Sequence, residues 1–303
     1  MRLSSKPLAL ASVLLLALAT RGHADQQPTA LVQNPSFERA AEGSSLPAAW
    51  TGDRQVYARD PNAGRDDSAC LKYVNDDPDR YRLASLDLSG FTVYTLLRGF
   101  ENAMLDFVTS PDRFQPVMDL IMDFECRLME MAARHGFHGI HFADDWGTQD
   151  GLMLAPELWR RLFKPGYRRQ FARAHDLGLH VWYHCCGDFA PIIPDLREIG
   201  VHVLNISQPN TVDLASVGRS FRGKLCFLMP VSYQTVSITG TPSEILAEAQ
   251  RMYGLLAGSD GGFIGYVEEY GCMGMSEGNY RACGDAFRRL RPRDHRGSSA
   301  SIN

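Results

Sequence analysis

A histidine and two cysteines are the residues of this chain whose types and spacing fit metal chemistry. His184 and Cys186 end a run of apolar, strand-forming residues, and they flank Cys185, so in an extended segment they point to the same side. Cys272 follows a second strand-like run, 262–267, where the chain turns at glycine. One imidazole and two thiolates with a fourth position open are the composition of a catalytic zinc site.

The remaining cysteines are predicted to be ordinary buried thiols. They are Cys70, Cys126, Cys226 and Cys283, each in or beside an apolar pattern. The total of seven is odd, which fits poorly with a fully paired disulfide framework. For the neighbours Cys185 and Cys186 alone, inert packing is the better interpretation. Taken together, however, His184, Cys186 and Cys272 favour a metal site over buried structural residues.

The elements that must position these residues alternate between strands and helices. From residue 90 onward, strand-like runs are separated by stretches with helical spacing, among them helices opening at Ser110-Pro111 and at a capping box, Thr241 to Glu244. This alternation predicts βα units and a parallel sheet. Six strands are predicted, the first at 91–96, where a closed barrel needs eight. The predicted fold class is therefore α/β, an incomplete (β/α)8 TIM barrel of about six βα units preceded by a short all-β segment. Exposed sheet edges are expected unless the β segment or a second chain covers them.

Polar residues follow the predicted strands at their carboxyl ends. In chain order they are Asp144 and Asp145, His184 and Cys186, Asn205 and Gln208, Gln234, and Glu268 and Cys272. Because a (β/α)8 barrel builds its active site at this mouth, we expect these side chains to converge there. For the two aspartates, a position at the mouth is favoured over a helix N-cap or a turn. For the two glutamines, a role in the site and an ordinary surface role are equally supported.

Composition and local patterns predict the organisation of the rest of the chain. Residues 1–24 have the basic, apolar and small-residue parts of an export signal, so we expect a periplasmic or secreted mature protein without a membrane span, or a cytoplasmic one if this segment is a fusion artefact. The further predicted boundaries are 25–89 for a partial β-sandwich, 90–292 for the barrel and 293–303 for a disordered tail. The net charge of -4, without a concentrated basic face, argues against nucleic-acid binding.

Three runs of the sequence carry a family resemblance. They are HFADDWGTQDGLMLAPELWRRLFKP, HVWYHCCGDFAPIIPDLREIGVHVLNISQPN and GTPSEILAEAQ. From about residue 90 to 290 the chain resembles the uroporphyrinogen decarboxylase superfamily, and within it the zinc- and corrinoid-dependent methyltransferases. The resemblance implies Zn2+ held by His184, Cys186 and Cys272, a corrinoid carried by a partner protein, and a small-molecule methyl donor or acceptor such as a thiol. It further implies that Asp144, Asp145, Gln208 and Glu268 orient the reactants, with Glu268 able to fill the fourth zinc position, and that Asn205 and Gln234 contact the cofactor.

Three functional interpretations remain open at this stage. The first is zinc-dependent methyl transfer with a corrinoid. The second is decarboxylation of a tetrapyrrole. True decarboxylases have an Arg-rich substrate loop and an essential Asp in their N-terminal part, and residues 25–90 contain no counterpart of either, which argues against this activity. The third is a non-catalytic truncated fusion whose barrel does not close. Residues 28–90 also resemble part of a jelly-roll carbohydrate-binding module, from which we infer no sugar binding, and a homodimer is a possible assembly.

Overall fold

The computed structural model describes two units of the chain separately. In the first unit, the described residues form two antiparallel strands, β1 (Tyr57–Asp60) and β2 (Cys70–Tyr73). In the second unit, it describes residues 81–86, 88–267 and 274–290. The predicted export signal, most of the predicted β segment and the predicted tail lie outside the described residues.

The second unit alternates strands and helices along its whole described length. Its elements are β3 (Leu83–Ser85), α1 (Gly90–Arg98), α2 (Phe100–Thr109), α3 (Pro111–Arg134), β4 (Gly139–Ala143), α4 (Pro156–Leu162), α5 (Lys164–Asp176), β5 (His180–Cys185), α6 (Ile193–Glu198), β6 (Val203–Ile206), α7 (Leu214–Phe221), β7 (Cys226–Pro230), α8 (Val236–Thr239), α9 (Pro242–Leu256), β8 (Phe263–Tyr266) and α10 (Glu277–Arg289). Strands β3 to β8 pair in sequence order, and every pair is parallel. The predicted fold class, an incomplete TIM-barrel-like α/β fold, is confirmed.

The first barrel strand is not where the sequence pattern predicted it. Residues 91–96 were predicted to form a strand, and they lie instead in helix α1. A short apolar run fits either structure, and here the buried side chains of Phe91 and Tyr94 take the i, i+3 spacing of one helix face. The strand beside β4 is β3, whose three residues are too few to show a clear alternation. Among the described residues the sheet has the six strands that were predicted, but its first strand begins at Leu83, ahead of the predicted boundary at residue 90.

The helices predicted to open at Ser110-Pro111 and at the Thr241 capping box begin where predicted, although the side chain of Ser110 makes no capping hydrogen bond. Thr241 accepts the backbone N–H of Glu244, whose carboxylate accepts the backbone N–H of Thr241 at 2.7 Å, so the capping box at α9 is confirmed. Pro111 occupies the first turn of α3, where its missing N–H costs nothing. Among the described helices, none combines the length and the apolar character that crossing a membrane requires.

An aromatic cluster packs the first three helices against the loop after β4. The rings of Phe91 and Trp146 stack with their centroids 4.0 Å apart, and Phe163 meets Trp146 edge-on at 4.5 Å. Phe107 and Phe114, from α2 and α3, complete the cluster, and all five side chains are buried. The indole N–H of Trp146 also donates to the hydroxyl of Tyr183 on β5 at 2.9 Å. The loop that carries Asp145 is therefore anchored in the core by the residue that follows it.

Candidate metal centre

The carboxyl end of β5 separates a buried cysteine from the potential metal ligands. Tyr183 and Cys185 are fully buried, whereas His184 and Cys186 are partly exposed. The sulfur of Cys186 lies 3.5 Å from Nε2 of His184, so the two side chains share one side of the strand end, as their spacing predicts. Burial raises the pKa of the Cys185 thiol well above its usual value, and its sulfur accepts the backbone N–H of Trp146 at 3.2 Å. Cys185 is therefore part of the core.

Asp145, from the loop after β4, brings a carboxylate to the same place. Its Oδ1 lies 3.6 Å from Nε2 of His184, and the ligand atoms of Asp145, His184 and Cys186 all lie within 4.8 Å of one another. The same carboxylate oxygen accepts the backbone N–H of Cys186 at 2.9 Å, which fixes one loop against the other. The side chain of Asp145 is 50% exposed and that of His184 is 21% exposed, so a small ligand can reach both.

Two glycines allow the loops after β4 and β5 to meet at backbone contact distance. A Cβ atom added at Gly187 would lie 2.2 Å from the carbonyl carbon of Gly147, and one added at Gly147 would lie 2.5 Å from the carbonyl carbon of Gly187. Gly187 also has a φ of 72°, in the left-handed region that glycine occupies without strain. Hydrogen bonds then continue past the strand ends, with Gly147 N–H donating to the carbonyl of Cys186 at 3.2 Å.

Asn205 on β6 orients the imidazole of His184. The two residues are register partners in the parallel sheet, and Oδ1 of Asn205 lies 2.5 Å from Nδ1 of His184. The amide nitrogen of Asn205 donates to the carbonyl of Leu228 at 2.9 Å and to the hydroxyl of Tyr266 at 3.3 Å, so its oxygen is the atom that faces the imidazole. Nδ1 of His184 therefore carries the proton, which leaves the Nε2 lone pair directed toward Cys186 and Asp145.

The three donors fit a zinc ion in type, tautomer and separation. Thiolate sulfur, neutral imidazole nitrogen and carboxylate oxygen are all zinc ligands in proteins, and His184 is held in the tautomer that binding requires. The further predicted ligand Cys272 and the predicted mouth residue Glu268 lie outside the described residues. Asn205, predicted to contact the cofactor, is buried and is a hydrogen-bond partner of the candidate ligand His184, and its contact with a cofactor stays a prediction.

Asp144 and Asp145 were predicted together at the mouth, and the structure separates them. Asp144 is fully buried, and its carboxylate accepts the backbone N–H groups of Phe91 and Thr92 at 3.2 and 2.8 Å, in the first turn of α1. It also accepts the hydroxyl of Tyr167. Burial raises the pKa of Asp144 to about 7. Adjacent residues of an extended segment point to opposite sides, so only one of the pair faces the metal donors, and the alternative of a helix cap describes Asp144.

Gln208 and Gln234 are linked at the mouth by a residue that the sequence pattern did not single out. Gln149, in the loop after β4, donates its Nε2 hydrogen to Oε1 of Gln208 and accepts from Nε2 of Gln234, each at 3.0 Å. Oε1 of Gln208 also accepts the backbone N–H of Gly187 at 2.9 Å. The signal that could have identified Gln149 is its position six residues after the end of β4, in a sheet whose strands β6 and β7 are also followed by glutamines.

The cluster of a thiol, an imidazole and a carboxylate at the carboxyl ends of parallel strands is a candidate metal site. The family of the protein follows from its sequence. Residues 70–275 match the uroporphyrinogen decarboxylase (URO-D) family, which is more than half of the chain. The chain therefore belongs to that family. No curated protein matches it in sequence.

Solved structures with a similar fold include a methyltransferase from Methanosarcina mazei. The TM-score is 0.58 at 16% sequence identity, and the match covers 70% of this chain and 59% of that protein. At this identity the likeness concerns the fold alone. Two other matches have low TM-scores. N-acetylneuraminic acid (sialic acid) synthetase from Leptospira borgpetersenii serovar Hardjo-bovis matches with a TM-score of 0.34 at 17% identity, over 48% of each chain. An uncharacterized B. cereus protein matches with a TM-score of 0.35 at 14% identity, over 55% of this chain and 41% of that protein.

Proposed function

We propose that this protein is a zinc-dependent methyltransferase that moves a methyl group between a corrinoid and a small thiol. The observation that carries the proposal is the meeting of His184, Cys186 and Asp145 within 4.8 Å at the carboxyl edge of the sheet. That edge is where proteins with βα barrels bind their substrates. Family membership and the fold shared with a methyltransferase are compatible with this activity.

The residues present suit a site that holds a thiol as its thiolate. Zinc, when bound by His184 and Cys186 with Cys272 as the predicted third ligand, would favour the deprotonated form of a substrate thiol. Asn205 keeps the imidazole in its binding tautomer, and the Asp145 carboxylate fixes the backbone of Cys186. The thiolate sulfur would form a bond to the methyl carbon as the carbon–cobalt bond breaks, with that electron pair remaining on cobalt and the thiol proton lost to solvent. Asp145 would be an additional oxygen donor that could hold the zinc in the absence of a substrate thiol.

The charge of the mouth distinguishes this reaction from tetrapyrrole decarboxylation. The loops after β4 to β7, residues 144–155, 186–189, 207–213 and 231–235, contain neither Lys nor Arg, and besides the buried Asp144 they contain four aspartates that are at least partly exposed. A porphyrinogen substrate carries many carboxylates, and binding it calls for cations, especially arginine, at the mouth. These loops would instead repel it. The neutral side chains of a corrin ring carry no such penalty.

Zinc content tests the proposal directly. The full chain, purified under reducing conditions with zinc supplied, is expected to hold about one zinc per chain, and His184→Ala, Cys186→Ala and Cys272→Ala are each expected to lose it. His135→Ala, on an exposed histidine, and Cys126→Ala, on a half-buried cysteine of α3, are the matched controls and should retain it.

Methyl transfer is the second readout. Loss of the methylcobalamin absorption in the presence of 2-mercaptoethanol should follow the zinc content across these variants. A folded parent protein that binds no zinc would reject the proposal and favour the non-catalytic interpretation. Turnover of uroporphyrinogen without methyl transfer would favour the decarboxylase.

A further inference from the structure

Three glutamine side chains form a continuous row across the mouth. Gln234, from the loop after β7, donates to Gln149, which donates to Gln208, and Gln208 accepts from the backbone of Gly187. The row therefore joins the loops that follow β4, β5, β6 and β7. We call Gln149, Gln208 and Gln234 the glutamine row.

The glutamine row begins beside the metal donors and retains hydrogen-bonding capacity. Gly187, its backbone anchor, directly follows Cys186. Gln149 and Gln234 are exposed. Each primary amide offers two donor hydrogens and an acceptor oxygen, so the bonds within the row leave a hydrogen on every amide nitrogen and, in the described part of the chain, the whole oxygen of Gln234 for a ligand. A ligand that binds next to Asp145, His184 and Cys186 would meet both the free N–H groups and the free carbonyl oxygen of the row.

The chemistry of the row selects neutral amides. Side-chain amides both donate and accept, so they pair reciprocally with other primary amides, whereas carboxylates accept only. The surrounding loops carry aspartates and no basic residue, which disfavours any anionic ligand at this place. A planar macrocycle fringed with acetamide and propionamide groups matches this surface, and the same ring fringed with carboxylates does not.

We propose that the glutamine row binds the primary amide side chains at the edge of a corrin ring and orients that ring over the metal centre. This inference rests on the proposed methyl transfer and adds to it the specificity of the site for amidated over carboxylated macrocycles. Gln149 and Gln234 would act as specificity residues, through contact with the ring edge. Gln208 would mainly couple the row to the loop that carries Cys186.

Binding of two corrinoids tests the inference. Dicyanocobinamide presents the amides, and cobyrinic acid presents the same ring with carboxylates throughout. We expect the zinc-loaded full chain to bind dicyanocobinamide at least about tenfold more tightly, as measured by calorimetric titration. Gln149→Glu and Gln234→Glu keep the shape, remove donor hydrogens and add a negative charge, so each is expected to weaken dicyanocobinamide binding about tenfold. Gln250→Glu, on an exposed position of α9, adds the same charge elsewhere and should change nothing.

The outcomes separate this inference from the proposed function. Equal affinity for the two corrinoids, binding of neither, or row variants that behave like Gln250→Glu would overturn the role of the glutamine row, even if zinc binding and methyl transfer persist. Zinc content measured on every variant guards against an indirect effect, since the row variants are expected to retain zinc. Loss of zinc together with loss of binding in those variants would assign the row a role in building the metal site instead. A parent that binds dicyanocobinamide selectively but holds no zinc would refute the proposed function alone.

Discussion

Replacement of the buried Glu125 by glutamine is expected to stabilise the protein at neutral pH. Glu125 on α3 is only 3% exposed, and its carboxylate accepts the backbone N–H of Gly90 at 2.9 Å. Burial, together with the nearby charge of Asp144, raises its pKa to about 8 from an ordinary value of 4.5. The folded protein therefore holds a proton on this carboxyl that the unfolded chain releases above its own pKa.

The sign and size of the effect follow from this difference in proton binding. Because the pKa of Glu125 is higher in the folded than in the unfolded protein, this residue lowers the free energy of unfolding progressively as pH rises from 4.5 to about 8. Each pKa unit corresponds to about 1.4 kcal/mol, so at pH 7 the loss is about 3 kcal/mol. Glu125→Gln has no such proton to hold. The neighbouring amide of Gln170 can turn so that its oxygen, which has no hydrogen-bond partner, accepts from the new glutamine.

Urea denaturation at two pH values measures the difference. We expect Glu125→Gln to equal the parent protein in free energy of unfolding at pH 4.5 and to exceed it by about 3 kcal/mol at pH 7. Asp144 titrates in both proteins, and up to about pH 7 residue 125 beside it is mostly neutral in each, so the contribution of Asp144 nearly cancels in the comparison. A variant that is destabilised equally at both pH values would refute the reasoning, since it would mean that Glu125 is an ionised and fully compensated hydrogen-bond acceptor.

Two further predictions concern the metal centre and its neighbours. Asn205→Ala is expected to lower zinc affinity by about 10–100-fold, because His184 loses the hydrogen-bond acceptor that fixes its tautomer. Competition with a chelator measures the affinity, and Asn205→Asp should restore part of it. Unchanged affinity in Asn205→Ala would exclude this positioning role. Cys185 is expected to resist iodoacetamide at pH 8 in the folded protein and to react after denaturation, because it is fully buried and its pKa is raised. Peptide mass mapping locates the label, and labelling of Cys185 in the native protein would contradict the prediction.

The fold class and the positions of two candidate metal donors followed from local patterns in the sequence. The alternation of strands and helices predicted a parallel sheet, and the His184–Cys186 spacing predicted two donors on one side of a strand end. Both depend on interactions within a few residues, which periodicity records directly. The same holds for the capping box at α9, where two residues satisfy each other's backbone groups.

Tertiary packing decided what sequence periodicity left ambiguous. Residues 91–96 form a helix because the buried carboxylate of Asp144 accepts the first backbone N–H groups of α1 and the aromatic face of α1 packs against Trp146. That same packing turns Asp144 inward and leaves Asp145 beside His184, although the two aspartates look equivalent in the sequence. Likewise Gln149 joins its row only because the loops after four strands meet at one edge. Each of these outcomes depends on contacts between residues far apart in the chain, and local patterns carry no record of such contacts.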